Sequence, residues 1–449
     1  MKISLEEKSS INKNNMNFKG MNTGLSKEQS IWRWKILTAT YFGYAGYYLT
    51  RKVFTISKTS LADSFDVGLD SIAHIWTIYL IAYMLGMFIN SFIGRKWGPR
   101  ILLLGGLGTS IVINIIFGFT NSYSTFMVFM FFNGLVQASG WPGTVGGIAH
   151  WLRKKERGVI MGFWSTNYLV GNIVVKMLGG FLLASWGWQY AFWGATLVAF
   201  GIWWLIYFWQ KTKPEDVGLE KIISDDDDDD RDVKASNDDH ISFKKYTKLL
   251  LNPIIPLMGL SYFAIKFLRY ALDSWLPTFL NLQGMDKASA AYYSSIFDIA
   301  GFGGVIIAGF ALDRIFKGRW EKVVLIMSVG LVIGYLVVIN FGQDPVMLAM
   351  SFGLVGFMLY GPDTLLCGAA SVQVAGEKNA VAVAALVNGI GSIGPIIQEE
   401  VIGWLMGGKS VEVGMRNTNY LALSMSVLLV IAALLINWNI SRKNKLKKK

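Results

Sequence analysis

The chain has 449 residues, 53% of them hydrophobic and 16% charged, with a mean hydropathy of +0.41; soluble domains carry roughly 25% charged residues. That composition excludes disorder, collagen-like repeats and nearly all soluble enzyme classes, and the single cysteine, Cys367, excludes a disulfide framework, a cysteine-rich zinc site and an iron–sulfur cluster. The formal charge is +12, from 42 Lys+Arg against 30 Asp+Glu; in a soluble protein this would suggest nucleic acid, so the location of the charges decides its meaning.

Residues 1–33 are polar, lack the apolar core of a cleavable leader, and read as an N-terminal tail. Six apolar stretches follow, each near the roughly 20 residues a helix needs to cross hydrocarbon. They begin near Trp34, Ser71, Arg100, Ser124, Gly158 and Gln189. Residues 211–250 then form a polar linker with six consecutive aspartates, 225–230. Like charges repel, so the run reads as solvated linker rather than a cation site. Six more stretches begin near Asn252, Ser289, Glu321, Pro345, Asn379 and Asn419, and residues 439–449 close the chain as a basic tail. The expected fold class is an all-α polytopic membrane protein with twelve transmembrane helices in two six-helix bundles, residues 34–210 and 251–438.

With the spans placed, 33 of the 42 positive residues fall on the side of the two termini, four on the other side, and five inside spans. The positive-inside rule therefore predicts cytoplasmic termini. The basic excess orients the chain, and nucleic acid is not an expected partner. A multi-pass protein of a bacterial inner membrane, working as a monomer in the bilayer, is the expectation.

The five buried cations are Arg51, Lys52, Lys176, Lys266 and Arg269. Charges inside spans are costly and mark function by default. Arg51 lies about 25 Å along its helix from Trp34, too deep to reach the near interface. Arg269 occupies the equivalent helix of the second half. Two facing guanidiniums suit a dianionic tetrahedral oxyanion, because each presents a planar fork of donors. Lys266, three residues before Arg269, shares its face and can add a third cation. Asp273, Asp298 and Asp363 are the acids that could neutralise these arginines instead. A Lys52–Asp298 pair between the halves would act as a gating tie. Lys176 has no evident partner in the sequence.

A short basic loop after the eighth span contains Gly309, Asp313, Arg314 and Arg319. It resembles the G-x-x-x-D-R-x-x-G-R loop of the major facilitator superfamily. A degraded copy, with Ser91 and Arg95 in place of the glycine and aspartate, follows the second span. Its recurrence six spans apart implies two bundles related by an axis along the membrane normal, with substrate held between them. Further stretches resemble the organophosphate:phosphate antiporters, which include glycerol-3-phosphate, hexose-6-phosphate and eukaryotic glucose-6-phosphate transporters. They are residues 44–54; Asn133, Gln137, Gly140, Trp141 and Pro142; Glu156, Arg157 and Gly158, with Trp164; residues 213–219; residues 268–277; and Tyr360, Gly361 and Pro362.

The resemblance implies that Arg51 and Arg269 bind phosphate, that Tyr44, Tyr48, Gln137, Trp141 and Tyr360 line the cavity, and that Lys52 pairs with Asp298. Tyr168 stands where bacterial glycerol-phosphate antiporters have a histidine, and Met87 where they have a lysine. Lys266 and the small residues at Gly389, Gly391 and Gly394 look more like sugar-phosphate exchangers. The implied activity is exchange of a hexose phosphate such as glucose-6-phosphate for inorganic phosphate by alternating access. The alternatives are a non-transporting hexose-phosphate sensor and a carrier of glycerol-3-phosphate or another organic anion. His74, His150 and His240 have no metal-ligand neighbourhood, and no nucleophile elbow, phosphate loop or dinucleotide fingerprint occurs, so neither enzyme chemistry nor a cofactor or metal is expected.

Overall fold

The computed structural model describes residues 25–222 and 249–446, except 154–155, 157–159, 162, 165, 250, 343, 376 and 409. The motif residues Arg157 and Gly158, the aspartates 225–230, and His240 lie outside the described residues. The described residues hold helices and connecting turns, with no strand among them.

The first half comprises α1 (Lys27–Ile56), the short α2 (Lys58–Phe65), α3 (Leu69–Phe119), α4 (Tyr123–Gln137), α5 (Gly140–Ile148), α6 (Asn167–Trp186) and α7 (Trp188–Trp209). The second comprises α8 (Ile254–Leu282), α9 (Lys287–Ile315), α10 (Trp320–Phe341), α11 (Pro345–Cys367), α12 (Ala369–Ala375), α13 (Glu377–Gly391), α14 (Ile393–Met406) and α15 (Val411–Leu446). α1 begins at a capping box. Ser26 Oγ accepts from Gln29 N at 3.1 Å, and Gln29 Oε1 accepts from Ser26 N at 2.9 Å. The helix therefore starts seven residues before the apolar stretch does.

Nine helical segments among the described residues are long and apolar enough to cross a membrane. Two of them are the arms of α3, which turn at Gly98 (φ +80°) ahead of Pro99. The positions of the first, fourth and eleventh expected spans are taken by α1, by α4 with α5, and by α13 with α14. The fourth is interrupted at Ala138–Ser139 and the eleventh at Ser392. α15 starts at Val411, earlier than the apolar pattern indicated, and continues past it to Leu446.

Packing repeats between the halves. α3 lies against α4 as α9 lies against α11, α1 against α7 as α8 against α15, and α1 against α6 as α8 against α13. Small residues permit the close approaches. A Cβ at Gly86 would stand 2.5 Å from the Leu135 carbonyl oxygen, and one at Gly353 would stand 2.7 Å from the Ile296 side chain. Phe200, Trp204 and Phe208 of α7 face outward, where lipid would cover them, while Trp188, Phe192 and Ile206 of the same helix are buried. The second basic loop also shows a local adjustment. It carries three residues between Arg314 and Gly318 where the motif has two, and a π turn, Ala311–Ile315, takes up the extra length. Asp313, Arg314 and Arg319 are exposed there.

The halves touch at the end opposite the chain termini. Gly403 of α14 and Gly407, which caps that helix, pack on Ala73 and Asp70 of α3, and Gly180 of α6 packs on Ala291 of α9. Between described residues, the hydrogen bonds and ion pairs seen to join the halves lie at this sealed end or at mid-depth. On the terminal side, Met84, Met87 and Phe88 of α3 are exposed.

Candidate functional site

A cavity of about 520 Å³ lies between the halves at mid-depth, within the range of small-molecule sites. α1 supplies Tyr48, Arg51 and Lys52 to one wall, and α8 supplies Lys266, Arg269, Tyr270 and Asp273 to the other. Tyr79, Tyr83 and Met87 of α3 and Asn388 and Ser392 of the interrupted eleventh span complete it.

The two arginines differ in surroundings. The Arg51 guanidinium stands 4.1 Å from the Tyr48 ring centre and 5.7 Å from that of Tyr83, a cation–π cage. Its Nε has no hydrogen-bond partner. None of the ion pairs among the described residues includes it. Arg269 donates from Nη1 to Asp363 Oδ2 of α11 and lies 4.5 Å from the Tyr360 ring centre. Lys266 donates to Asn388 Oδ1 at 2.7 Å and to Ser392 Oγ at 3.1 Å. Both partners are neutral.

A chain of buried polar groups runs from the cavity towards the sealed end. Lys52 Nζ donates to Asp273 Oδ2. The Asn172 amide donates to Asp273 Oδ1 at 3.3 Å and to Asp298 Oδ1 at 3.4 Å. Lys176, in a π turn of α6, donates to Asp298 Oδ2 at 2.6 Å and to the Ser294 carbonyl at 3.1 Å. The Tyr360 hydroxyl donates to Asp298 Oδ1 at 3.0 Å. The expected Lys52–Asp298 tie is therefore not the pairing formed. α1 faces Asp273 on α8, while Asp298 on α9 faces α6 and takes Lys176. Lys176, without a partner in the sequence reading, has this one.

Of the expected substrate-binding residues, Tyr48, Arg51, Lys266 and Arg269 are on the cavity wall, and Tyr44, Gln137, Trp141 and Tyr360 are not. Tyr44 packs its ring on Tyr48, Trp141 and Trp164. Gln137 donates to Thr50 Oγ1 and Ser110 Oγ, each at 2.8 Å, within the first bundle. Tyr360 lies behind Arg269. Sequence reasoning missed Tyr79 and Tyr83, which share a helical face with Met87 at four-residue spacing. It also missed Lys58–Glu399, an ion pair with both side chains fully buried at the sealed end. Lys58 also donates to Ser274 Oγ at 2.8 Å and lies 3.8 Å from the Trp275 ring centre, while Gln398 donates to Glu399 at 2.7 Å. Glu399 was open to the same argument from buried charge that singles out Arg51.

Residues 40–398 match the model of the Major Facilitator Superfamily. The chain belongs to that superfamily. It is a membrane carrier by family, not an enzyme. Its relatives include the glycerol-3-phosphate transporter of Bacillus subtilis (strain 168), 26% identical over 421 residues, covering 92% of this chain and 93% of the relative. They also include a probable hexose phosphate transport protein of Chlamydia pneumoniae, 25% identical over 437 residues, covering 94% of each. These relatives agree with the resemblance to organophosphate:phosphate antiporters. A solved bacterial homolog of the human lysosomal transporter Spinster matches with a TM-score of 0.72 at 14% identity, covering 91% of this chain and 97% of that one. That likeness concerns the fold alone.

Proposed function

We propose that the chain exchanges a phosphorylated sugar, a hexose phosphate such as glucose-6-phosphate, for inorganic phosphate, with the cavity between the halves as its binding site. The observation that carries this reading is a mid-depth cavity with Arg51 on one wall and Arg269 on the other. The relatives named for hexose phosphate and glycerol-3-phosphate transport support it. Guanidinium forks bind phosphate oxygens in pairs, and the tyrosine rings around Arg51 offer no carboxylate to compete for it.

With the termini in the cytoplasm, the sealed end faces outward and the cavity opens inward. Switching access requires the inner side to close over the site while the Lys52–Asp273, Lys176–Asp298 and Lys58–Glu399 pairs part. An empty site resists closure, since burying a charge without its partner costs roughly 3–5 kcal/mol. Either phosphate or an organophosphate removes that cost, so each reorientation carries an anion and net movement is an exchange. One chain supplies both walls, which supports a monomer as the working unit, in a bacterial inner membrane.

The test is uptake of labelled glucose-6-phosphate into proteoliposomes loaded with phosphate. Uptake is expected only with internal phosphate. Flux into phosphate-free vesicles would overturn obligate exchange. Binding without flux for every sugar phosphate tried would overturn transport in favour of sensing.

A further inference from the structure

Arg269 is already neutralised by Asp363, so the two arginines do not together set the charge the cavity demands. Lys52 and Lys176 are likewise matched by Asp273 and Asp298. Among the described residues, the cations of the site with no carboxylate bonded to them are Arg51 and Lys266. Lys266 is held by the amide oxygen of Asn388 and the hydroxyl of Ser392, which orient the ammonium without cancelling its charge. On its own helix it faces Tyr262, whose ring centre is 5.1 Å away, and Arg269. On α11 it faces Cys367 and Asp363, and Asp363 is bonded to Arg269. Among the described residues, the side chains that the elements at the break of the eleventh span bond to Lys266 are the neutral Asn388 and Ser392.

The site therefore carries two uncompensated positive charges from different helices. A phosphomonoester changes from one negative charge to two at a second pKa of about 6. Only the dianion cancels both cations. We propose that Lys266 is the residue that makes the carrier select the dianionic form of its phosphate ligands, an inference that rests on the antiport reading above. Removing its charge while keeping a hydrogen-bonding side chain leaves one uncompensated cation, Arg51, which a monoanion satisfies.

The experiment measures glucose-6-phosphate uptake into phosphate-loaded proteoliposomes, with the external pH varied from 5 to 8 and the internal pH held constant. Equilibrium binding of labelled glucose-6-phosphate to detergent-solubilised protein at both pH limits reads the same preference without turnover. Wild type is expected to follow the dianion, rising with pH and favouring that form by about tenfold or more, the size of one charge-assisted hydrogen bond. Lys266→Gln is expected to reverse the profile and follow the monoanion. Lys266→Arg, which restores the charge, is expected to keep the rising profile. A Lys266→Gln protein that still rises with pH, or a Lys266→Arg protein that follows the monoanion, would overturn the role of Lys266 while leaving antiport standing. A wild type that follows the monoanion would do the same. A wild type that neither binds nor exchanges glucose-6-phosphate would overturn antiport and this inference with it.

Discussion

The sealed end holds a fully matched buried ion pair, whereas the cavity leaves two of its four cations without a bonded carboxylate. At the sealed end, Lys58 and Glu399 are both fully buried, bonded to each other, and supported by Ser274, Gln398 and the Trp275 ring. In the cavity, Arg51 rests among tyrosine rings and Lys266 against an amide and a hydroxyl, each without a carboxylate. A matched pair holds one arrangement of the halves. An unmatched cation leaves the arrangement to be decided by whatever anion arrives. The same residue types thus lock one region and sensitise the other.

The largest effect should come from breaking the lock. Removing one partner of a buried pair costs about 3–5 kcal/mol, while replacing both with residues of similar shape is nearly neutral. Glu399→Gln is expected to lower the melting temperature of the detergent-solubilised protein strongly. The double variant Lys58→Met/Glu399→Gln should recover most of that loss. A double variant less stable than either single would show that the pair is not coupled as the geometry indicates.

In the cavity, Arg51→Lys and Arg269→Lys should each cut phosphate exchange by about a hundredfold or more, the worth of two charge-assisted hydrogen bonds. An ammonium keeps the charge but not the planar fork. Exchange near the wild-type rate by either variant would remove the arginines from phosphate recognition. Asp363→Asn probes the contrast between them, because it frees Arg269 from its carboxylate. Phosphate affinity should then rise, by roughly tenfold if one charge-assisted bond is released to the ligand, and turnover should fall as release slows. Weaker phosphate binding in Asp363→Asn would mean that the carboxylate positions Arg269 instead of competing for it.

The sequence discloses this contrast unevenly. Depth along a helix follows from counting, so Arg51, Lys266 and Arg269 stand out as charges too far from either interface. Which helix faces which does not follow from counting. Lys52 meets Asp273 because α1 packs on α8, and Asp298 meets Lys176 because α9 packs on α6. Both acids are at suitable depth, and only tertiary contact separates them. The aromatic cage of Arg51 is illegible for a similar reason. Tyr83 of the cage and its cavity neighbour Tyr79 are two of many aromatics, distinguished only by the face of α3 that meets α1. The interruptions at Ala138–Ser139 and Ser392 also weaken the apolar pattern where Gln137, Asn388 and Ser392 sit.

The smallest effect is expected from a histidine–carboxylate contact at the sealed end. His74 Nδ1 of α3 lies 2.8 Å from Glu400 Oε2 of α14, the residue next to Glu399, whose own partner Lys58 is on α2. The side chains are 50% and 38% exposed, where those of Lys58 and Glu399 are 0%. Exposed pairs contribute about 0–1 kcal/mol, because water already solvates both partners and fixing two side chains costs entropy. His74→Gln should therefore leave the melting temperature and the exchange rate close to wild type, and Glu400→Gln should do the same. Measured beside Glu399→Gln, these variants separate burial from mere position at the seam. If His74→Gln destabilises the protein as much as Glu399→Gln does, the seam depends on the number of polar contacts across it. If it does not, the seam at this end depends on the Lys58–Glu399 pair, which water cannot reach.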